Sequence, residues 1–325
     1  MNVFGYDPYL RFMTKPKAIT MLFLVTLFLI PVISCKTSYD RKNPYPNMEI
    51  LRYSDNHAYV FPNEGSDKLL IIFEGNGWNS VLGIKQGNKW TYVQYGSQFL
   101  QELNNTYTIL IPEKLKRRPG MVYSGDIEDR ANYTVENLLT CYTESINGYL
   151  AEHNYSSVVL IGTSEGAALL PLIYERMVNK GNVTAMVSIS FGGLSLYESY
   201  TILSERSNTP PGWYEMYFNI TNLYYPEKNE FRDSFSEDFY GTTFRYLNSF
   251  IYVRPFDYYQ YINIPILFVH GYNDYTVPVE STEYIQKSLP EKPFEYKYFP
   301  WHHQPDNLKE LIQFRKEISE WIKSL

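Results

Sequence analysis

Residues 158–166 read Val-Val-Leu-Ile-Gly-Thr-Ser-Glu-Gly, an apolar run that ends on a serine held between two glycines, Gly162-Thr163-Ser164-Glu165-Gly166. The run reads as a buried strand, and the small residues that follow it open a helix. A serine at such a turn stands clear of both elements. The glycines let the backbone turn tightly without a Cβ clash, and the helix aims its first N–H groups at the same point. A serine hydroxyl is a poor nucleophile by itself. It needs a base to take its proton, and the base needs an acid to orient it. Candidates for both lie downstream: Asp274 in the loop after the run Pro265–Gly271, and His302 and His303 after the run Phe294–Pro300. The chain has five histidines, and two of them fall at this one place. Together these residue types can carry out nucleophilic attack on an acyl carbon.

For them to meet, the strands that carry them must lie side by side. From Leu69 onward short apolar runs alternate with helical segments. Leu69–Gly75, Tyr107–Pro112, Ser157–Gly162, Thr184–Gly193, Pro265–Gly271 and Phe294–Pro300 read as strands, most of them apolar throughout, as strands buried on both faces should be. Helices are expected at Ser97–Leu103, Val135–His153, Gly166–Lys180, Ser281–Ser288 and Leu308–Ser324. In Val135–His153 the apolar positions Leu138, Leu139, Tyr142, Ile146, Tyr149 and Leu150 fall on one helical face. This alternation predicts an α/β chain with a doubly wound, mostly parallel sheet, in which ligands bind beyond the carboxyl ends of the strands. The stretch His57–Pro62 adds an edge strand. The segment 194–263 breaks the rhythm. It is rich in aromatic residues, with Phe231, Phe235 and Phe239 at i, i+4 spacing, and reads as a helical lid inserted into one domain spanning 57–325.

At these residues the chain resembles the α/β-hydrolase family. Gly162-Thr163-Ser164-Glu165-Gly166 matches its G-x-S-x-G nucleophile elbow, with the strand before and the helix after that the motif requires. His270-Gly271-Tyr272-Asn273-Asp274-Tyr275-Thr276-Val277-Pro278 is similar to the family's H-G-x-x-D-x-x-V-P loop, and His302-His303 follows the last strand. The resemblance runs from about Leu69 to the C-terminus, minus the insertion. It implies Ser164 as nucleophile, Asp274 as acid and a C-terminal histidine as base. His303 is favoured over His302 by the His-x-Pro spacing found after the last strand in many relatives. It also implies two backbone donors for an oxyanion. One is the N–H of Glu165. The other lies in Glu74-Gly75-Asn76-Gly77-Trp78-Asn79, at Asn76 or Gly77. Glu74 stands where the family usually has histidine. Glu165 can also be solvated or touch substrate, and Trp78 can line an acyl pocket or pack.

The N-terminus reads as an address. Arg11, Lys15 and Lys17 precede an uncharged apolar run, Ala18–Ser34, which ends Val32-Ile33-Ser34-Cys35. These four residues resemble the bacterial lipobox, in which the cysteine is lipidated and becomes the mature N-terminus; the alternative is an uncleaved membrane anchor. Residues 1–35 are therefore expected to be a lipoprotein signal and 36–56 a polar tether, which leaves the protein exported and membrane-anchored through Cys35.

With 29 basic and 35 acidic residues interspersed, the chain has no basic stripe, and a nucleic-acid partner is excluded. Lys114, Lys116, Arg117 and Arg118 could bind an anionic substrate or form a solvated loop paired with Asp126, Glu128 and Asp129. No phosphate-cradling motif is present, and the spacing of His302, His303 and Asp306 fits no zinc site, so neither a metal nor a cofactor is expected. The expected reaction is hydrolysis of a small-molecule carboxylic ester or other acyl substrate. The rivals are a serine peptidase with the same triad and a non-catalytic binding lipoprotein on the same fold.

Overall fold

The computed structural model of the chain describes residues 47–77, 79–86, 89–91, 103–117, 132–206, 238–239 and 242–325. Eight strands form one sheet: β1 (Glu49–Tyr53), β2 (Asn56–Phe61), β3 (Lys68–Phe73), β4 (Thr108–Pro112), β5 (Ser157–Thr163), β6 (Val183–Ile189), β7 (Ile266–Gly271) and β8 (Phe294–Phe299). Their spatial order is β1-β2-β4-β3-β5-β6-β7-β8. The β1–β2 and β2–β4 pairs are antiparallel, and every pair from β4–β3 to β7–β8 is parallel. The α-helices among the described residues are α1 (Val135–Glu152), α2 (Glu165–Arg176), α3 (Leu196–Glu205), α4 (Phe244–Phe250), α5 (Phe256–Tyr259), α6 (Glu280–Ser288) and α7 (Leu308–Lys323).

Successive side chains of a strand point to opposite faces, so a strand covered on both sides must be apolar at every position. β3 illustrates this. Leu69, Ile71 and Phe73 join a core cluster with Leu138, Tyr142 and Ile146 of α1 and Leu169 and Ile173 of α2. Leu70 and Ile72 join a second cluster with Leu311, Phe314, Ile318 and Ile322 of α7. The sheet is thus sandwiched between α1 and α2 on one face and α7 on the other. Local signals fix the helix starts. Thr134 Oγ1 accepts from the Asn137 N–H to begin α1, Asn307 Oδ1 accepts from the Glu310 N–H to begin α7, and Ser195 with Glu198 forms a capping box on α3.

Two boundaries differ from expectation. The stretch around His57 is not an edge strand. β2 lies between β4 and β1, and β1 comes from residues expected to be tether. β1 escaped notice because its Glu49, Ile50 and Arg52 are exposed, which leaves no apolar run to detect. A two-residue turn, with Ser54 at φ 55°, folds it back onto β2. β6 stops at Ile189 rather than continuing to Gly193, because Ser190 adopts φ 58° and leaves the extended conformation. Of the segment 194–263, α3, α4 and α5 and a short ribbon pairing Asp238–Phe239 with Thr242–Thr243 are described. Leu203, Tyr246, Phe250 and Tyr259 from this segment join the first core cluster, so these helices pack on the main domain and form no core of their own. The expected helix from Ser97 lies, apart from Leu103, outside the described residues, as do Cys35 and the whole apolar run before it. Among the described residues no helix is long and apolar enough to cross a membrane.

The packing of α2 against the sheet turns on Gly166. A Cβ there would stand 2.4 Å from the Phe73 carbonyl oxygen and 2.7 Å from its carbon. Both are backbone atoms of a central strand and cannot give way. Gly166→Ala is expected to destabilise the fold by about 1–3 kcal/mol, the usual cost of overpacking; an unchanged urea midpoint would contradict this contact.

Candidate active site

Ser164 sits between β5 and α2 with φ 51° and ψ −113°. No side chain favours that region, so the neighbours must hold it there. Its N–H donates to Ile189 O at 2.8 Å, and its carbonyl accepts from the Ala168 N–H at 2.9 Å, closing the first turn of α2. On the other side of the turn, a Cβ on Gly162 would lie 2.5 Å from Gly166 O. Both glycines of the motif are therefore required by close backbone approach.

Asp274 and His303 arrive on two loops stapled together. Tyr272 N–H donates to Phe299 O at 2.8 Å, Asn273 N–H to Trp301 O at 3.0 Å, and the Asn273 side chain to Pro300 O at 2.8 Å. Trp301 is buried, stacked on Phe299 at 3.9 Å and edge-on to Phe314 of α7. Ser190, at the end of β6, donates to His303 O at 2.8 Å. The His303 ring then lies between the other two groups, with Nε2 2.9 Å from Ser164 Oγ and Nδ1 2.7 Å from Asp274 Oδ2. His302 turns away. It is about half exposed, and its Nδ1 is 2.7 Å from Asp306 Oδ1.

The Asp274 side chain is fully buried. Its Oδ1 accepts from the N–H groups of Thr276 at 2.7 Å and Val277 at 2.9 Å. His270 Nε2 stands 3.3 Å from its Oδ2 and 3.0 Å from Val277 O, and His270 Nδ1 is 2.7 Å from Thr282 Oγ1. Burial pushes the Asp274 carboxyl up. The charge of His303, helped by hydrogen bonds from His270 and His303, outweighs burial and holds it below the ordinary carboxylate range.

A second polar group lies beneath the turn. Glu165 is 2% exposed, and its carboxylate accepts from Tyr133 Oη at 3.3 Å and from Tyr246 Oη of α4. Burial, reinforced by the Glu165 charge, pushes both tyrosines well above their usual value, so they remain protonated donors. Lys114, fully buried just after β4, donates to Gly75 O and, at 3.0 Å, to Gly77 O in the loop that follows β3. Glu113 beside it accepts from Tyr59 Oη at 2.7 Å, from Ser80 Oγ at 2.6 Å and from the Val81 and Lys114 N–H groups.

No protein-family model matches the sequence, and no curated protein matches it. Solved structures do. The acylaminoacyl peptidase of Pyrococcus horikoshii superposes with a TM-score of 0.56 at 13% identity, over 85% of this chain and 41% of that one. The chain thus spans about two-fifths of the peptidase's length. Est1E from Butyrivibrio proteoclasticus, with ferulic acid bound, gives 0.55 at 15% identity, over 85% of this chain and 98% of that one. The Pyrococcus furiosus esterase gives 0.53 at 14%, over 85% and 90%. Three such superpositions over most of the chain, with the strand order already described, decide the architecture. The chain has the α/β-hydrolase fold.

On this fold Ser164, Asp274 and His303 come from the ends of β5, β7 and β8, all at the carboxyl edge of the sheet. Asn76 and Gly77 follow β3 at the same edge, and Trp78 lies outside the described residues. Glu165 is not solvated; its carboxylate points into the buried polar group. The basic stretch also departs from expectation. Lys114 and Arg117 are buried rather than solvated, Lys116 is exposed, and Arg118 lies outside the described residues. Sequence reasoning missed Ser190, Tyr133 and Tyr246, and gave His270 no part in the site. The His-Gly-x-x-Asp spacing held the only available hint for His270. Among the described residues no group of three or more His, Cys, Asp or Glu is arranged to hold a metal ion.

The Asp274 shift carries a pH dependence. A carboxyl held lower in the folded chain than its unfolded value of about 3.9 contributes stability above that pH, and loses it as pH falls through the folded value. The stability lost in Asp274→Asn, read by urea unfolding, should therefore be smaller at pH 3 than at pH 7. Equal losses would mean that the charged form is not the favoured one.

Proposed function

We propose that the chain is a serine hydrolase of carboxylic esters that works through an acyl-enzyme on Ser164. The observation that carries this reading is the unbroken row Ser164 Oγ, His303, Asp274 Oδ2, with gaps of 2.9 and 2.7 Å. In the proposed reaction His303 Nε2 takes the Ser164 proton as Oγ attacks the ester carbonyl. Asp274 holds the ring through Nδ1 and stabilises the imidazolium that forms. The oxyanion is received by the Glu165 N–H, which opens α2, and by an N–H of the loop after β3. His303 then returns its proton to the leaving alcohol. A water, deprotonated by the same nitrogen, attacks the acyl-enzyme and releases the acid.

Cleavage of peptides through the same residues is the second reading. It is favoured by the likeness to the acylaminoacyl peptidase and weakened by the fraction of that protein the chain spans. A panel of aryl and alkyl esters set against acylated peptides separates the two. The binding-lipoprotein alternative is disfavoured because it gives the row no purpose. We further place the enzyme outside the cytoplasm, anchored to a membrane through Cys35, with segment 194–263 as a lid over Ser164. The support is the lipobox-like sequence in the first case and the contact of Tyr246 with Glu165 in the second.

A fluorescent fluorophosphonate should label the full-length chain at Ser164. Ser164→Ala should abolish labelling. Asp274→Asn should lower kcat about 10⁴-fold, as expected when a catalytic histidine loses its orienting carboxylate. His303→Ala should be as severe, and His302→Ala should stay within a few-fold of wild type. Failure of the folded wild type to label would overturn the serine mechanism.

A further inference from the structure

The structure assigns Lys114 as the positioning residue of the oxyanion site and the Asn76 N–H as its second donor. This inference rests on the hydrolase reading above. The Lys114 ammonium donates to two carbonyls of the loop that follows β3, Gly75 O and Gly77 O. The described chain has no cis peptide bond. In a trans peptide the C=O and N–H point in opposite directions. Turning Gly75 O toward Lys114 therefore turns the Asn76 N–H to the opposite side of the loop. The Gly77 N–H belongs to the peptide between, whose carbonyl Lys114 does not hold. Gly75 is the part of the loop that lies against the nucleophile, because a Cβ on it would stand 3.1 Å from Ser164 Cβ and 3.8 Å from Ser164 Oγ. The freed N–H is thus one peptide away from the atom that attacks.

The ammonium is held in turn by its surroundings. Lys114 is fully buried. Burial pushes it below the usual lysine range, Glu165, Glu74 and Glu113 counter that by favouring its charge, and Arg117 opposes it. Glu165 belongs to the same group and supplies the first donor through its own backbone, while Tyr133 and Tyr246 fix its carboxylate. Both donors are therefore anchored from beneath by one buried network, with no role left for the histidine that usually follows this strand in the family. A flexible loop would have to pay for orienting the N–H during the reaction. A loop clamped by Lys114 has the donor in place beforehand.

The test compares full-length wild type with Lys114→Met, Lys114→Gln and Ser164→Ala. Rates are expressed per site titrated with a chromogenic active-site reagent, so that a misfolded fraction does not count. Lys114→Met should lower per-site kcat about 10²-fold, the loss typical of one oxyanion donor, with KM changed less than three-fold. Affinity for a trifluoromethyl ketone, which forms a tetrahedral adduct on the serine, should fall by the same factor as kcat/KM. Lys114→Gln, which keeps an N–H donor of shorter reach, should recover part of both. A purely structural role would reduce the number of titrated sites and leave per-site kcat and ketone affinity at wild-type values in both variants. That result overturns the proposal alone. Wild-type hydrolysis by Ser164→Ala would overturn the hydrolase reading and the proposal with it.

Discussion

Ser164 holds a backbone conformation that costs about 1–3 kcal/mol and that its own side chain does nothing to favour. The surrounding chain keeps it there through three constraints: the Ile189 carbonyl on β6, the first turn of α2, and the backbone of Phe73 on β3, which admits nothing larger than glycine at 166. Two of those constraints come from β6 and β3, which flank the serine's own strand because the sheet order is β3-β5-β6. The strained turn and the sheet topology therefore depend on each other. A sheet with any other order would remove one of the contacts and let the serine relax toward the helix.

Burying titratable groups beneath this turn is expensive: burial pushes Glu113 above and Lys114 below their ordinary ranges, and such clusters persist where their members have partners. Glu113 has four donors, Glu165 has two tyrosine hydroxyls, and Lys114 has two carbonyls. The benefit is geometric. A hydrogen-bonded polar network has few alternative arrangements, whereas an apolar core tolerates many. Tyr246 adds a longer connection. It sits on α4, within the aromatic-rich insertion, and reaches the residue beside Ser164, so the insertion and the candidate site share a hydrogen bond as well as a packing surface.

Asp274 shows how the fold keeps an acid ionised in a buried place. Two backbone N–H groups occupy one oxygen, and His303 and His270 flank the other. The loop that carries Asp274 is stapled to the loop that carries His303 by three hydrogen bonds, so the two side chains cannot drift apart independently. Trp301 seals the staple from below by packing on Phe299 and Phe314.

The sequence by itself determined the alternation of strands and helices, the serine turn and the loop of Asp274. These are written in local signals: unbroken apolar runs, helical spacing in Val135–His153, and glycines two residues either side of Ser164. It did not reveal β1, whose exposed Glu49 and Arg52 carry no hydrophobic pattern and which becomes a strand only by pairing with β2. It favoured His303 over His302 only through a spacing shared with relatives, because adjacent residues share one local environment. The choice is made by Ser190, 113 positions away, which catches the His303 carbonyl and turns that ring toward Ser164. Nor could it place Lys114, whose charge suggested solvent or an anionic substrate. Only folding brings that side chain near three carboxylates and presents it with two carbonyls, because these groups lie far apart in sequence and the tertiary structure brings them together; they offset part of what burial costs its charge.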